Sequence, residues 1–115
     1  MADTWFGYPP QKHHVHLSQA FTLMGRTREA YAEQESALAL AKAPSVMTRA
    51  LVAVDGAACV RADGDPAAAA GLALDVWRQL PPAYRGGLVR SRVESLCQSL
   101  PGRTGNTLRE ALAGC

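Results

Sequence analysis

Large anchoring side chains are scarce in this chain. Aromatic residues make up 6% of it, and alanine supplies much of a 48% hydrophobic share. Such material packs as small side chains between closely spaced helices, with few bulky anchors. No run of about 18 apolar residues occurs, so no membrane span is expected. The amino end lacks a basic region followed by an apolar one, so no secretory signal is read there. The three cysteines, Cys59, Cys97 and Cys115, are odd in number, widely spaced and without a CxxC pair. They read as reduced thiols of a cytoplasmic protein, with Cys59 and Cys97 inside apolar helical patterns and therefore in the core. A strong charge of one sign is also missing. The net charge of +2 points neither toward nor away from nucleic acid. Its distribution is uneven: residues 1–77 hold 6 basic and 8 acidic side chains, and residues 78–115 hold 6 and 2.

Catalytic signatures are absent too. Gly86-Gly87 lacks the Lys-Ser/Thr that completes a phosphate loop, no serine lies in GxSxG, and HExxH does not occur. A non-enzymatic chain without a cofactor is expected. His13, His14 and His16 form the densest group of ligand-type side chains. On a helix His13 and His16 share a face, a spacing that can hold zinc or nickel. No third ligand with an ordered second shell is evident, so the expectation is a solvated or partly packed helix start without metal.

What the chain does contain is helix. No segment alternates with period two, and five or six helices account for it. The expected spans are Gln11–Met24, Arg28–Ala41, Val46–Ala62, Pro66–Gln79, Ala83–Leu100 and residues 106–113. Gly25 and Gly64 supply left-handed helix exits. Thr27, Ser45, Asp65 and either Asn106 or Thr107 are the expected caps, and Pro66 takes a first-turn position. Ala30, Gln34, Ala37, Leu38 and Ala41 form one face of the second helix. Gly56 is read as permitting close packing inside the third helix. Gly86-Gly87 weakens the start of the fifth, and Pro44, Pro81-Pro82 and Pro101-Gly102 are stops. Residues 1–10 read as an extended segment in which Trp5, Phe6 and Tyr8 must be covered, either by their own domain or by another surface. A homodimer or a constitutive partner is therefore expected at residues 4–10.

A repeat runs through residues 11–115. Set against Gly64, Gly25 is shifted by 39 residues. Ala30 then meets Ala69, Ser18 meets Ala57, and Phe21 meets Val60. A third, degraded copy places Gly102 at the turn. Small residue, turn glycine, alanine and closing proline recur as Ser18, Gly25, Ala30, Ala37 and Pro44, then as Ala57, Gly64, Ala69, Val76 and Pro81. This pattern resembles tetratricopeptide repeats. The unit is longer than that family's, His14 stands in place of its tryptophan, and Gln34 and Ala73 replace an aromatic. The resemblance implies an all-α stack of helical hairpins, an α-solenoid, acting as a protein- or peptide-interaction scaffold.

The first helix of each hairpin in that family lines a concave face. By that register the face carries Lys12, Val15, His16, Gln19 and Thr22, then Leu51, Val54, Ala58 and Arg61, then Val89, Arg92 and Leu96. Lys12, His16, Gln19, Arg61 and Arg92 are its candidate ligand-binding residues, suited to a peptide or chain terminus with a carboxylate. The run from Leu80 to Ala113 also resembles the C-terminal end of actinobacterial transcriptional regulators, in which a helix-turn-helix precedes such repeats. That resemblance implies a sensor or interaction portion that meets nucleic acid only indirectly, through a DNA-binding part that is missing here or separate. The alternatives are a homo-oligomeric scaffold and direct nucleic-acid binding through Arg85, Arg90, Arg92, Arg103 and Arg109.

Overall fold

The computed structural model describes residues 10–39 and 45–114. Its six α-helices are α1 (Pro10–Leu23), α2 (Thr27–Ala39), α3 (Val46–Ala62), α4 (Pro66–Gln79), α5 (Gly87–Ser99) and α6 (Asn106–Ala113), with one 3-10 turn at Pro82–Tyr84. Among the described residues there is no strand. None of the helices is long and apolar enough to cross a membrane. The expectations for residues 1–9, Ala41, Pro44 and Cys115 fall outside the described residues.

Local chemistry sets most boundaries. Gly25 and Gly64 have φ of 74° and 105°, values that cost a side chain bearing Cβ but not glycine. Each closes its helix with the same pair of bonds. The Gly25 N–H reaches Thr22 O and the Arg26 N–H reaches Phe21 O; the Gly64 N–H reaches Arg61 O and the Asp65 N–H reaches Val60 O. These are the paired bonds of a glycine C-cap, which satisfy carbonyls that a helix end would leave open. Ser45 Oγ accepts from the Thr48 N–H at 3.0 Å and Asp65 Oδ1 from the Ala68 N–H at 3.0 Å, so both act as N-caps.

Other ends differ from the sequence reading. Thr27 lies inside α2, and its hydroxyl donates to Asp63 Oδ1 at 2.8 Å. The fifth helix begins at Gly87 rather than at Ala83, because the two prolines support a 3-10 turn and Gly87 takes φ of 62°. Gly102 has no positive φ; that connection is closed by the Gly105 N–H on Pro101 O. Gly105 occupies the cap position of α6, while the side-chain oxygen of Asn106 accepts from Arg109.

Helix α3 sits in the middle, against α1, α2, α4 and α5. It is correspondingly buried on most sides, with Ala50, Leu51, Val52, Val54, Asp55, Ala57 and Cys59 all enclosed. The helices α1 and α2 pack as an antiparallel pair, as do α3 and α4, while α1, α3 and α5 lie side by side. Small residues permit the close crossings: Ala30, Ala37, Ala57, Ala69 and Ala73 are fully buried. Leu38 is not part of that face; it is 39% exposed. An alanine Cβ at Gly56 would lie 3.4 Å from Gln34 Oε1, so this glycine marks where α3 approaches α2. Trp77 is the largest fully buried side chain among the described residues. The Arg85 and Arg90 guanidinium groups lie 5.7 and 5.6 Å from its ring centroid, a cation–π arrangement that joins α4 to α5.

The packing at Ala69 is directly testable. Ala69→Leu is expected to cost about 1–3 kcal/mol by overpacking, whereas Ala68→Leu on the neighbouring exposed position leaves the urea midpoint near wild type. Equal midpoints for the two variants would contradict the crossing described.

Candidate binding groove

One carboxylate lies deep among the three adjacent helices. Asp55, in the apolar run of α3, accepts from Ser18 Oγ of α1 at 2.9 Å and from Arg92 Nη1 of α5 at 3.3 Å. Arg92 Nη2 donates to Gln19 Oε1 of α1 at 2.6 Å. The Arg92 and Asp55 side chains are only 9% and 5% exposed. Burial pushes the Asp55 carboxyl above its ordinary range, opposed by the Arg92 charge and by bonds from Ser18 and Arg92. The spacing from Ser18 to Asp55 and from Asp55 to Arg92 is 37 residues in each case. A further buried polar layer lies one turn along, where Cys59 Sγ meets Thr22 Oγ1 at 3.5 Å and Gln34 Nε2 at 3.9 Å. Burial raises the Cys59 thiol, which suits an inert core residue rather than a nucleophile.

Two concavities flank the Arg92 side chain. The first, about 320 Å³, is lined from α1 by Gln19, Thr22 and Leu23, from α3 by Val54, Asp55, Ala58 and Arg61, and from α5 by Leu88, Arg92 and Leu96, with serines 91, 95 and 99 along one wall. The second, about 460 Å³, is bounded by Lys12, Val15, His16, Met47, Leu51, Leu88 and Arg92. Leu88 and Arg92 belong to both, so the two form one groove along α1, α3 and α5. Lys12 and His16 line the second part, Gln19 and Arg61 the first, and Arg92 the ridge between them. Val89, expected on this face, is instead fully buried in the core. Its neighbour Leu88, 47% exposed, takes the groove position.

Asp55, Leu88 and Met47 were not among the sequence-derived site residues. Asp55 did carry a signal, as a single acid inside an apolar helical run. Leu88 carried none. Arg92 Nε is buried with no hydrogen-bond partner among the described residues. Arg61 Nε donates to Ser99 O at 3.2 Å.

His14 and the remaining arginines are placed elsewhere. His14 Nδ1 meets Glu33 Oε1 of α2 at 2.6 Å, an acidic neighbour the linear sequence did not reveal. Among the described residues no three His, Cys, Asp or Glu side chains converge as metal ligands would. Arg90 bonds Glu94 and Leu112 O, Arg85 bonds Arg78 O, and Arg109 bonds Cys97 O, Asn106 and Gly102 O.

Breaking the buried pair from one side should be costly. Asp55→Leu leaves the Arg92 charge enclosed and is expected to lose about 3–5 kcal/mol, most of it recovered in Asp55→Leu/Arg92→Met. A double variant as unstable as the single one would assign the loss to packing. The pH dependence has a defined sign. The folded chain holds the Asp55 proton more tightly than the unfolded chain, so this group's contribution makes stability fall as pH rises from the ordinary aspartate value through the raised folded one. Denaturant titrations across the acidic range should show that slope in wild type and its loss in Asp55→Asn; the opposite slope would mean that Arg92 outweighs burial.

Compared with protein-family models, with curated proteins and with solved structures, the chain finds no match.

Proposed function

We propose that the chain is a non-enzymatic interaction module: three stacked helical hairpins of the tetratricopeptide-like kind, whose groove holds an extended peptide. The observation that carries this reading is the groove itself. The first helix of every hairpin contributes to it, and two exposed apolar side chains, Met47 and Leu88, lie on its surface beside Lys12 and Arg92. Exposed apolar surface inside a concavity, rimmed by polar groups, is what interaction sites present. A peptide with apolar side chains and an acidic group or terminal carboxylate complements it. The stacking half of the proposal is supported by the two identical glycine turns 39 residues apart and by the buried pair Ala30 and Ala69.

A cytoplasmic setting fits the buried free thiols Cys59 and Cys97. The interaction portion of a transcriptional regulator is the role that the Leu80–Ala113 resemblance implies, with nucleic acid reached only indirectly. Direct nucleic-acid binding draws little support, since four of the five arginines named for it are engaged in contacts within the chain.

Leu88 and Leu72 make a matched pair for the test, being 47% and 45% exposed, with Leu72 on α4 outside both concavities. Peptides selected from a random displayed library against the full chain would be measured by fluorescence anisotropy. Leu88→Glu is expected to weaken binding at least about tenfold, the equivalent of about 1.4 kcal/mol, with an unchanged melting midpoint, and Leu72→Glu to leave it intact. The reverse pattern would move the site to the outer helices and refute the groove.

A further inference from the structure

The two halves of the groove are chemically alike. Each sets one uncompensated cation beside exposed apolar surface. Lys12 stands with Met47 and Leu88 in the larger concavity, and Arg61 with Leu23, which is 78% exposed, in the smaller one. Among the described residues neither cation meets a carboxylate at ion-pair distance. The Arg61 Nε donates to the Ser99 carbonyl, which orients the side chain and leaves its two terminal nitrogens to a ligand. The one acid in the described lining, Asp55, is enclosed and already paired with Arg92. An acid brought by a ligand therefore meets Lys12 or Arg61 without a competitor.

The helix register gives the separation of these cations. Partners across α1, α3 and α5 are 37 residues apart, at Ser18–Asp55, Thr22–Cys59 and Asp55–Arg92, so Lys12 is level with position 49 of α3. Arg61 lies 12 positions further along the chain, about 18 Å along the axis. An extended chain covers that distance in about five or six residues. Ser91 and Ser95 line the α5 wall between the two ends. They are one turn apart, about 6 Å, which is close to the two-residue repeat of an extended backbone, and their hydroxyls can donate to its carbonyls.

We infer that the ligand of this groove is an extended peptide with two acidic side chains about five or six residues apart, one on Lys12 and one on Arg61, and apolar side chains against Leu88 and Leu23. The inference rests on the groove reading given above and adds to it the number, spacing and placement of the acids. The Arg92–Gln19 bond stays in place between the two subsites, because Arg92 is committed to Asp55.

Peptides selected from a random displayed library against the full chain are expected to share two acids at that spacing around an apolar centre. A charge swap read by fluorescence anisotropy then tests their placement. Lys12→Glu and Arg61→Glu should each weaken a selected peptide about tenfold. Both positions are exposed, so the melting midpoints are expected to stay near wild type. Replacing one acid of the peptide by lysine should restore binding to one variant only, and replacing the other acid should restore it to the other. Restoration of both variants by the same lysine would reduce the ionic contact to one and overturn the inference. Peptides that depend on Leu88 yet ignore both charge reversals would also overturn it, while the groove reading stands. Failure to select any peptide would remove the groove reading and the inference with it. A short single-stranded oligonucleotide bound in place of a peptide, with the same dependence on both cations, would overturn the choice of ligand class.

Discussion

A single buried carboxylate constrains how the first helices of the fold meet. Asp55 lies in a helix that is otherwise apolar on nearly every side. A charge in that position is tolerated only when donors from neighbouring elements surround it. Ser18 and Arg92 provide them, one from each flanking helix, and Arg92 is held in turn by Gln19. Sliding α1 or α5 by one turn, about 5.4 Å, would separate these groups and leave the charge unpaired. The network therefore selects one register among helices whose alanine-rich contacts would otherwise discriminate poorly. Apolar burial supplies the drive to pack, and the polar centre supplies the alignment.

The groove follows from that alignment. With α1, α3 and α5 side by side, their outward faces form a shared surface, and the Arg92 side chain needed by Asp55 rises between its two halves. The same residue thus serves the interior and the wall of the concavity. Leu88, one turn earlier on α5, borders both halves as well. Its exposure is a direct result of Val89 turning inward to join the core.

Much of this was legible in the residues. Glycine turns at 25 and 64, the caps at Ser45 and Asp65, and the small-residue crossings at Ala30 and Ala69 each follow from local chemistry that a linear reading can apply. The spans of α3 and α4 were read to the residue because a cap, a proline and a glycine bracket them. The region after Pro81 was harder. Two prolines and two glycines within seven residues permit several arrangements, and the 3-10 turn that forms is flanked by the contact of Arg85 and Arg90 with the Trp77 ring. That contact has no local signature. The repeat was visible as equivalent positions 39 residues apart, yet the partners that touch across the first helices are 37 apart. Equivalence and contact are different relations, and only the first can be read by aligning the chain with itself. Aligned with itself the chain pairs Ser18 with Ala57, while in the fold Ser18 touches Asp55.

The arginines carry a consequence for how the molecule is felt at a distance. Arg85, Arg90 and Arg109, in the basic C-terminal third, each donate to a carbonyl at or just beyond a helix C-terminus, and Arg61 does the same from α3. Such an end bears roughly half a negative elementary charge from the aligned peptide dipoles. Seen from beyond the surface, each of these cations is partly cancelled by the helix end on which it rests. The positive potential close to these four helix ends is therefore softer than the count of arginines implies, while the net charge of +2 is unchanged.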